Sequence, residues 1–542
     1  MIRLVQNSRN GMAGLSGWSF LQTALCLLLL APAISIIVVA LMPSPPIIGH
    51  LIETVLGRYL WNTLLLMSIV GILAVLFGVS TAWIVSRYQF VGCNVLSWLL
   101  VLPAAIPAYI IAYAYTDFLE YAGPVQSLVR AIFGFESARD YVFFEVRSLG
   151  SAAVMMASVL YPYIYIMART AFRHTSGTLF EVAMVSGKNL FWHVALPLAR
   201  PAIIAGLSLV CMEVVSDFGT VEFFAIDTLT LGIFNVWLGM NNMPAAAQLS
   251  LIALIVMIAL LAAELFARSR RSFQNLSNAK RGVPQIKISG RKMIVLYLIC
   301  GLPLVIGFIL PVLILASFLI DGIGVQASAR FFELLVNNLL VSAMAAFGII
   351  IAGLLIGIIT HYKLGRIGHI LALAAASGYA IPGTILAIGV LGFMGGLNKL
   401  MMMVGGPLLS GGLIALMIAY MVRFHAVGYG AVSSGLGRMP NQLFEASQAL
   451  GKNFSQSLAL VVLPILSTSI GAGCLLVFVD VMKELPMTLL LRPFNFETFA
   501  TFTYQFAKEE MIEEAALPAL MIVMTGLIPV ILLNYSVTRP QR

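Results

Sequence analysis

About twelve apolar runs dominate this 542-residue chain, each near the ~20 residues that a helix needs to cross a bilayer. They fall at roughly 19–42, 59–85, 95–116, 150–172, 199–221, 244–267, 293–320, 336–360, 368–391, 411–429, 462–486 and 516–537. The runs do not alternate, and each is far longer than the segments of about ten residues that build a membrane barrel, so helices are predicted rather than strands. Charge is correspondingly scarce. Asp, Glu, Lys and Arg make up 10% of the chain against 61% hydrophobic residues, with a mean hydropathy of +1.00. A soluble domain carries about 25% charged residues. A chain this poor in charge cannot cover a water-facing surface, which excludes a soluble enzyme, a disordered protein and a nucleic-acid binder.

The net charge of +9 is unevenly placed. With the N-terminus in the cytoplasm and the spans alternating, 22 of the 31 Lys and Arg residues fall on the cytoplasmic side, Arg423 counted among them. Only Glu181, Glu264 and Glu445 of the 22 acids join them there. Loops rich in Lys and Arg stay in the cytoplasm, so this orientation and an even span count are expected, with both termini inside. Arg3 and Arg9 followed by Leu27–Leu30 and Ala31-Pro32-Ala33 loosely resemble a signal peptide, but the run continues to Leu41 and reads as an uncleaved first span. The five cysteines are scattered and form no CxxC, and the six histidines form no HExxH, so neither a disulfide framework nor a metal cofactor is expected.

The chain repeats itself. Residues 179–188 read LFEVAMVSGK and residues 443–452 read LFEASQALGK, an offset of 264. Downstream, Leu196-Pro197 matches Leu463-Pro464, and Glu213 and Asp217 match Asp480 and Glu484, all at 267. The first copy therefore lacks three residues between Gly187 and Pro197, nearly one helical turn. Upstream, Ile106-Pro107 corresponds to Ile381-Pro382. Six spans per copy give both copies the same orientation, which predicts a parallel repeat about an axis along the membrane normal. The expected division is 1–267, a basic cytosolic linker over 268–292, and 293–542.

Each repeated segment reads as a short helix along the membrane surface, with an apolar face through Leu443, Leu450 and Phe454 in the second copy and a turn at its glycine. Such a helix can simply pack on its own bundle. Two copies on one face argue instead for paired docking points. EVAMVSG…ALP and EASQALG…VVLP resemble the EAA loop of permease subunits of binding-protein-dependent ABC importers. Neither copy keeps the full Glu-Ala-Ala, and the first departs by its deletion. The resemblance implies that this loop is a coupling helix seated in a cleft of an ATPase subunit, with Glu181, Ala183, Gly187, Glu445, Ala446 and Gly451 as coupling residues. RYQF at 87–90, LVLPAAIPAYIIAYAYTDFLEYAGPVQ at 100–126, SDFGTVEFF at 216–224, MPAAAQLSL at 243–251 and DVMKELPMTLLLRPFNFETFAT at 480–501 look like the fused two-half permeases for ferric iron. Related permeases carry thiamine, phosphonates or polyamines.

The resemblance implies an all-α membrane protein of the type I importer fold in a bacterial inner membrane, working by alternating access. It also implies an external substrate-binding protein and an ATPase, in two copies for two coupling helices. The chain has no GxxxxGK[ST], since Gly187-Lys188 and Gly451-Lys452 are each followed by Asn, so ATP hydrolysis falls to the partner. An ion-driven carrier can also use two six-span halves but has no need of paired Glu…Gly loops.

Glu213, Asp217, Asp480 and Glu484 are the other candidates. Each pair is spaced i, i+4 near the outer end of its span, so it shares a helix face. Carboxylates in spans are costly and usually face the bundle interior or a water-filled cavity. They are expected to line the translocation pathway near its outer gate, where a hard cation prefers oxygen. The competing reading makes them gate hydrogen bonds or partners of Lys483 or Arg492. Tyr109, Tyr113, Tyr115, Tyr161, Tyr163 and Tyr165 read as structural or interfacial, and Pro103, Pro107 and Pro382 as kinks.

Overall fold

The computed structural model describes residues 17–43, 47–175, 177–269, 283–326, 329–362, 366–406 and 412–538. Arg3 and Arg9, the middle of the linker, Lys363, Arg539 and Arg542 lie outside the described residues. The described chain is an all-α membrane protein, with eleven helices long and apolar enough to cross a bilayer. A bent pair, Cys93–Ala105 and Ala108–Phe133, meets at 90° and makes a twelfth crossing if counted as one.

Two of the expected spans are not continuous helices. The run expected at 95–116 becomes a helix over Cys93–Leu99, a 3-10 turn over Leu102–Ala105 and a second helix over Ala108–Leu119. The run expected at 368–391 becomes a helix over Arg366–Ala375, a 3-10 turn over Ala376–Ala380 and a membrane-length helix over Gly383–Met403. Both break at the matched Ile-Pro step. Ile106 (ψ 122°) and Ile381 (ψ 122°) are extended, because proline crowds the residue before it out of the α region. Breaking a helix frees carbonyls inside the bundle, and these need donors. The Tyr161 hydroxyl donates to the Leu100 carbonyl (2.9 Å) and that of Tyr165 to the Ser97 carbonyl (2.8 Å), so these two tyrosines are structural as expected. The span expected at 411–429 runs further, over Leu413–Arg438.

The first helix, Gly17–Ala40, packs on Arg366–Ala375, Gly383–Met403 and Ala329–Tyr362, all from beyond the linker. Reciprocally, Arg291–Leu304 packs on Gly57–Arg87, and Leu310–Gln326 on Ala108–Leu119. Small residues permit the closest of these crossings. A Cβ at Gly389 would sit 2.3 Å from the Pro32 carbonyl oxygen, and one at Gly307 would sit 2.2 Å from that of Ser158. The two largest apolar cores each draw residues from both sides of the linker.

Part of the segment expected as a linker, 268–292, is docked. Ile286–Lys287 pairs in parallel with Tyr88–Gln89, at the end of the helix Gly57–Arg87. Val283 is buried there, and Arg87 donates to the Pro284 carbonyl.

Candidate functional site

The paired loops fold alike. Helices span Gly177–Val185 and Asn441–Ala449. Each ends at its glycine in the left-handed region, Gly187 at φ +64° and Gly451 at φ +83°. Each closes with a bond from the following lysine back across five residues, Lys188 N–H to Ala183 O (3.0 Å) and Lys452 N–H to Ser447 O (3.2 Å). At matched positions Phe180 and Ala183, then Phe444 and Ser447, are buried. Glu181, Gly187, Glu445, Ala446 and Gly451 are exposed. Ala183 thus holds the helix to its bundle rather than facing outward. Of the apolar face expected through Leu443, Leu450 and Phe454, the two leucines are turned out, 44% and 82% exposed, while Phe454 is half-buried; Phe444 is the anchor, stacked on Tyr362 with ring centroids 4.1 Å apart and edge-on to Phe454. An α-helix repeats every 3.6 residues, so spacing alone could not separate an anchoring face from a presented one.

The three-residue deletion has a local place. Asn453 caps the short helix Phe454–Ser457, which leads into the π-helical turn Leu458–Val462. In the first copy Asn189 accepts from the Phe191 and Trp192 N–H groups, and the π-helical turn Phe191–Ala195 follows at once. The missing residues therefore come out of one capped turn beyond the glycine, and the presented helix is unchanged.

The four carboxylates lie at the other end of the matched helices Leu196–Ser216 and Leu463–Met482, about 30 Å away for a helix of this length. They line one cavity of about 130 Å³ together with Tyr109, Tyr163, Tyr379, Arg423 and Lys483. Two pairs 267 residues apart in sequence thus meet at one cavity. They are not equivalent in what they bind. Asp217 receives the Thr220 N–H on Oδ1 (2.9 Å) and the Thr220 hydroxyl on Oδ2 (3.1 Å), at the start of the short helix Gly219–Phe223. Glu484 does the same for Pro486–Leu491, receiving the Met487 N–H on Oε1 (3.1 Å), the Thr488 N–H on Oε2 (3.0 Å) and the Thr488 hydroxyl on Oε2 (2.9 Å). A carboxylate at a helix N-terminus satisfies donors that have no intrahelical partner. Glu213 instead accepts from the Tyr379 hydroxyl (2.8 Å), and Asp480 pairs with Lys483 (2.9 Å). Arg492 pairs with Glu497 (3.4 Å) and not with the cavity acids. Among the described residues, no three His, Cys, Asp or Glu side chains group closely enough to hold a metal ion.

Arg423 corrects the expected charge map. It lies within the helix Leu413–Arg438, only 8% exposed, with Nη1 3.9 Å from Glu484 Oε1. It was counted with the cytoplasmic residues although the expected span 411–429 contains it; a charge inside an apolar run was itself the signal that it faces a cavity. Tyr379 carried no comparable signal beyond its place two residues before Ile381-Pro382. Tyr109 and Tyr163 line the cavity. Tyr115 donates to the Ile306 carbonyl (2.8 Å) and so ties the broken span to the π-helical turn Val305–Ile309.

No family model matches the chain. It is 24% identical over 497 residues to the Fe(3+)-transport system permease protein FbpB 2 of Haemophilus influenzae, covering 88% of this chain and 90% of that protein. It is 22% identical over 461 residues to the ferric transport system permease protein FbpB of Actinobacillus pleuropneumoniae, covering 80% and 64%. The molybdenum transport system permease protein ModB of Escherichia coli is 28% identical over 228 residues, covering 39% of this chain and 95% of ModB. The chain is thus similar over most of its length to ferric permeases and over less than half of it to the shorter ModB.

Proposed function

We propose that the chain is the membrane permease of an ATP-driven importer for ferric iron, with two permease units, 1–267 and 293–542, joined by the linker 268–292. The observation that carries this reading is the pairing of features along matched helices: an exposed helix with a glycine turn at one end, a carboxylate-lined cavity at the other. Similarity to two ferric permeases over at least 80% of the chain supports the cargo. Glu181, Gly187, Glu445, Ala446 and Gly451 present the loops to an ATPase subunit, one copy per loop. Glu213, Asp217, Asp480 and Glu484 line the path, and a periplasmic binding protein delivers iron to it. The membrane is a bacterial inner membrane, with both termini in the cytoplasm.

Closure of the ATPase pair would move the two loops toward each other. The helices Leu196–Ser216 and Leu463–Met482 connect each loop directly to its cavity wall, so the wall moves with the loop. The cavity acids outnumber the cavity bases by two, which favours a cation over an anion. Two side chains belonging to the bases also keep the cavity from being a deep electrostatic trap, and cargo must leave as well as enter.

Reconstitution with a cognate ATPase and binding protein tests the reading: ferric-loaded binding protein stimulates ATP hydrolysis and drives iron into proteoliposomes. Absence of stimulation by ferric-loaded protein sinks the cargo assignment. The loops give a second prediction. A side chain in the left-handed region costs roughly 1–2 kcal/mol, and a Cβ at Gly187 or Gly451 meets no other atom within 4 Å, so the strain stays in the turn. Gly187→Val with Gly451→Val is expected to leave the permease folded and monodisperse while weakening ATPase co-purification by about tenfold. Unchanged co-purification would remove the loops from the docking role.

A further inference from the structure

The cavity is duplicated in its acids and not in its bases. At the offset of 267, Glu213 and Asp217 face Asp480 and Glu484, and all four line the cavity. Three side chains that pair with those acids break the match. Lys483 corresponds to Ser216, Arg423 to Val159 at the offset of 264, and Tyr379 to Ala104 at the offset of the Ile-Pro step. Ser216, Val159 and Ala104 line the same cavity from the first unit. The fold therefore builds this wall once without any base. The helix Leu196–Ser216 ends without a basic residue in its last turn, so the matched helix end does not require Lys483 as a partner for its dipole.

The geometry also leaves unused bonding capacity. Arg423 is more than nine-tenths buried, and its Nε and Nη1 have no hydrogen-bond partner. The Tyr109 hydroxyl, also buried in the cavity wall, has none. The acids, by contrast, each already hold a partner from the chain: Glu213 the Tyr379 hydroxyl, Asp217 the Thr220 N–H, Asp480 Lys483 and Glu484 the Met487 N–H.

We infer that Lys483 is a tethered counter-ion, a specificity-determining residue that occupies the cation position beside Asp480 between transport events and keeps free cations out of the empty cavity. This rests on the reading of the cavity as the cargo path. Ammonium and metal ion compete for the same carboxylate. A hard cation arriving from bulk water must displace Lys483 and shed its own hydration, and nothing delivers it. Cargo handed over by a binding protein arrives when the walls move, and the flexible lysine stem can swing aside. Arg423 holds Glu484 in the same sense from the neighbouring helix. The acids of the second unit are thus neutralised from within, and those of the first unit carry the net negative charge.

The test uses terbium(III), a hard trivalent ion whose luminescence is sensitised by nearby tyrosine, with Tyr109, Tyr163 and Tyr379 in the cavity wall as sensitisers. The full-length permease is placed in nanodiscs of neutral lipid and titrated with terbium chloride. The wild type shows only weak luminescence. Lys483→Met is expected to gain a saturable signal with half-saturation at least tenfold lower, and adding Asp480→Asn removes it. Lys483→Arg, which keeps the charge, behaves as the wild type. Lys483→Gln replaces the methionine variant if that chain is not monodisperse. Equal titrations for Lys483→Met and the wild type overturn the inference, as does a gained signal that survives Asp480→Asn. Terbium binding requires neither iron nor the ATPase, so a failure of the ferric-import reading shows up separately, in the uptake assay.

Discussion

Iron uptake into proteoliposomes is expected to fall more than tenfold when Asp217 and Glu484 are both replaced by alanine, with ATPase co-purification unchanged. Each carboxylate caps a short helix that forms part of the cavity wall: Gly219–Phe223 carries Gly219, and Pro486–Leu491 carries Pro486. Losing a cap costs ~0.5–2 kcal/mol, so two together cost roughly 2 kcal/mol, more than a factor of ten in the population of the competent wall. The loops lie a full helix length away, which spares docking. The conservative pair Asp217→Asn and Glu484→Gln separates two causes. An amide oxygen still accepts one helix N–H at each site, that of Thr220 at Asp217→Asn and one of the Met487 and Thr488 pair at Glu484→Gln, so a capping role retains part of the uptake, whereas a role in attracting the cation by charge loses it. Glu213→Gln is the complementary variant, because Glu213 bonds Tyr379 and caps nothing. Uptake within twofold of wild type for the double alanine variant would remove these residues from the pathway.

Gly389→Val and Gly307→Val are each expected to abolish accumulation of a monodisperse permease. Their Cβ positions fall 2.3 Å from the Pro32 carbonyl oxygen and 2.2 Å from the Ser158 carbonyl oxygen, and backbone cannot step aside as a side chain can. Overpacking in a tight interior costs ~1–3 kcal/mol, and here it also parts the helices that join the two sides of the linker. Gly395 lies on the same helix as Gly389, and Gly301 on the helix that leads to Gly307; neither has an atom within 4 Å of its Cβ position. Gly395→Val and Gly301→Val should therefore accumulate normally. The readout is the fluorescence size-exclusion profile of tagged chains. Equal profiles for Gly389→Val and Gly395→Val would show that this crossing tolerates a side chain.

Much of the candidate site was legible in the residues. The repeated LFE…GK segments identified both loops, because a glycine in the left-handed region leaves a mark in sequence that a generic turn does not. The paired acids were legible because a carboxylate in an apolar run is expensive and therefore rare. Less legible was what each acid does. Asp217 and Glu484 are spaced from Glu213 and Asp480 as if on a shared face, yet the helices end at Ser216 and Met482, and the later member of each pair turns into a cap. Spacing could not foresee where those helices stop. The orientation of the loop helices was missed for a similar reason: Leu443 and Leu450 are as apolar as Phe444, and the surface that selects the anchored side, with Tyr362 and Phe454 against Phe444, comes from other helices.

By itself the sequence determined the class of protein, the approximate positions of its helices, the doubled loops and the doubled acids. Each of these follows from local properties: apolar length, a glycine's backbone freedom, the desolvation cost of a buried charge. Only the tertiary structure decided which charges meet. Arg423 and Tyr379 reach the cavity from helices far along the chain, and they meet Glu484 and Glu213 because small residues let the helices cross closely enough. A charge in an apolar run announces that it needs a partner; which partner it finds depends on contacts between separate segments, such as Tyr379 and Glu213 at 166 residues apart.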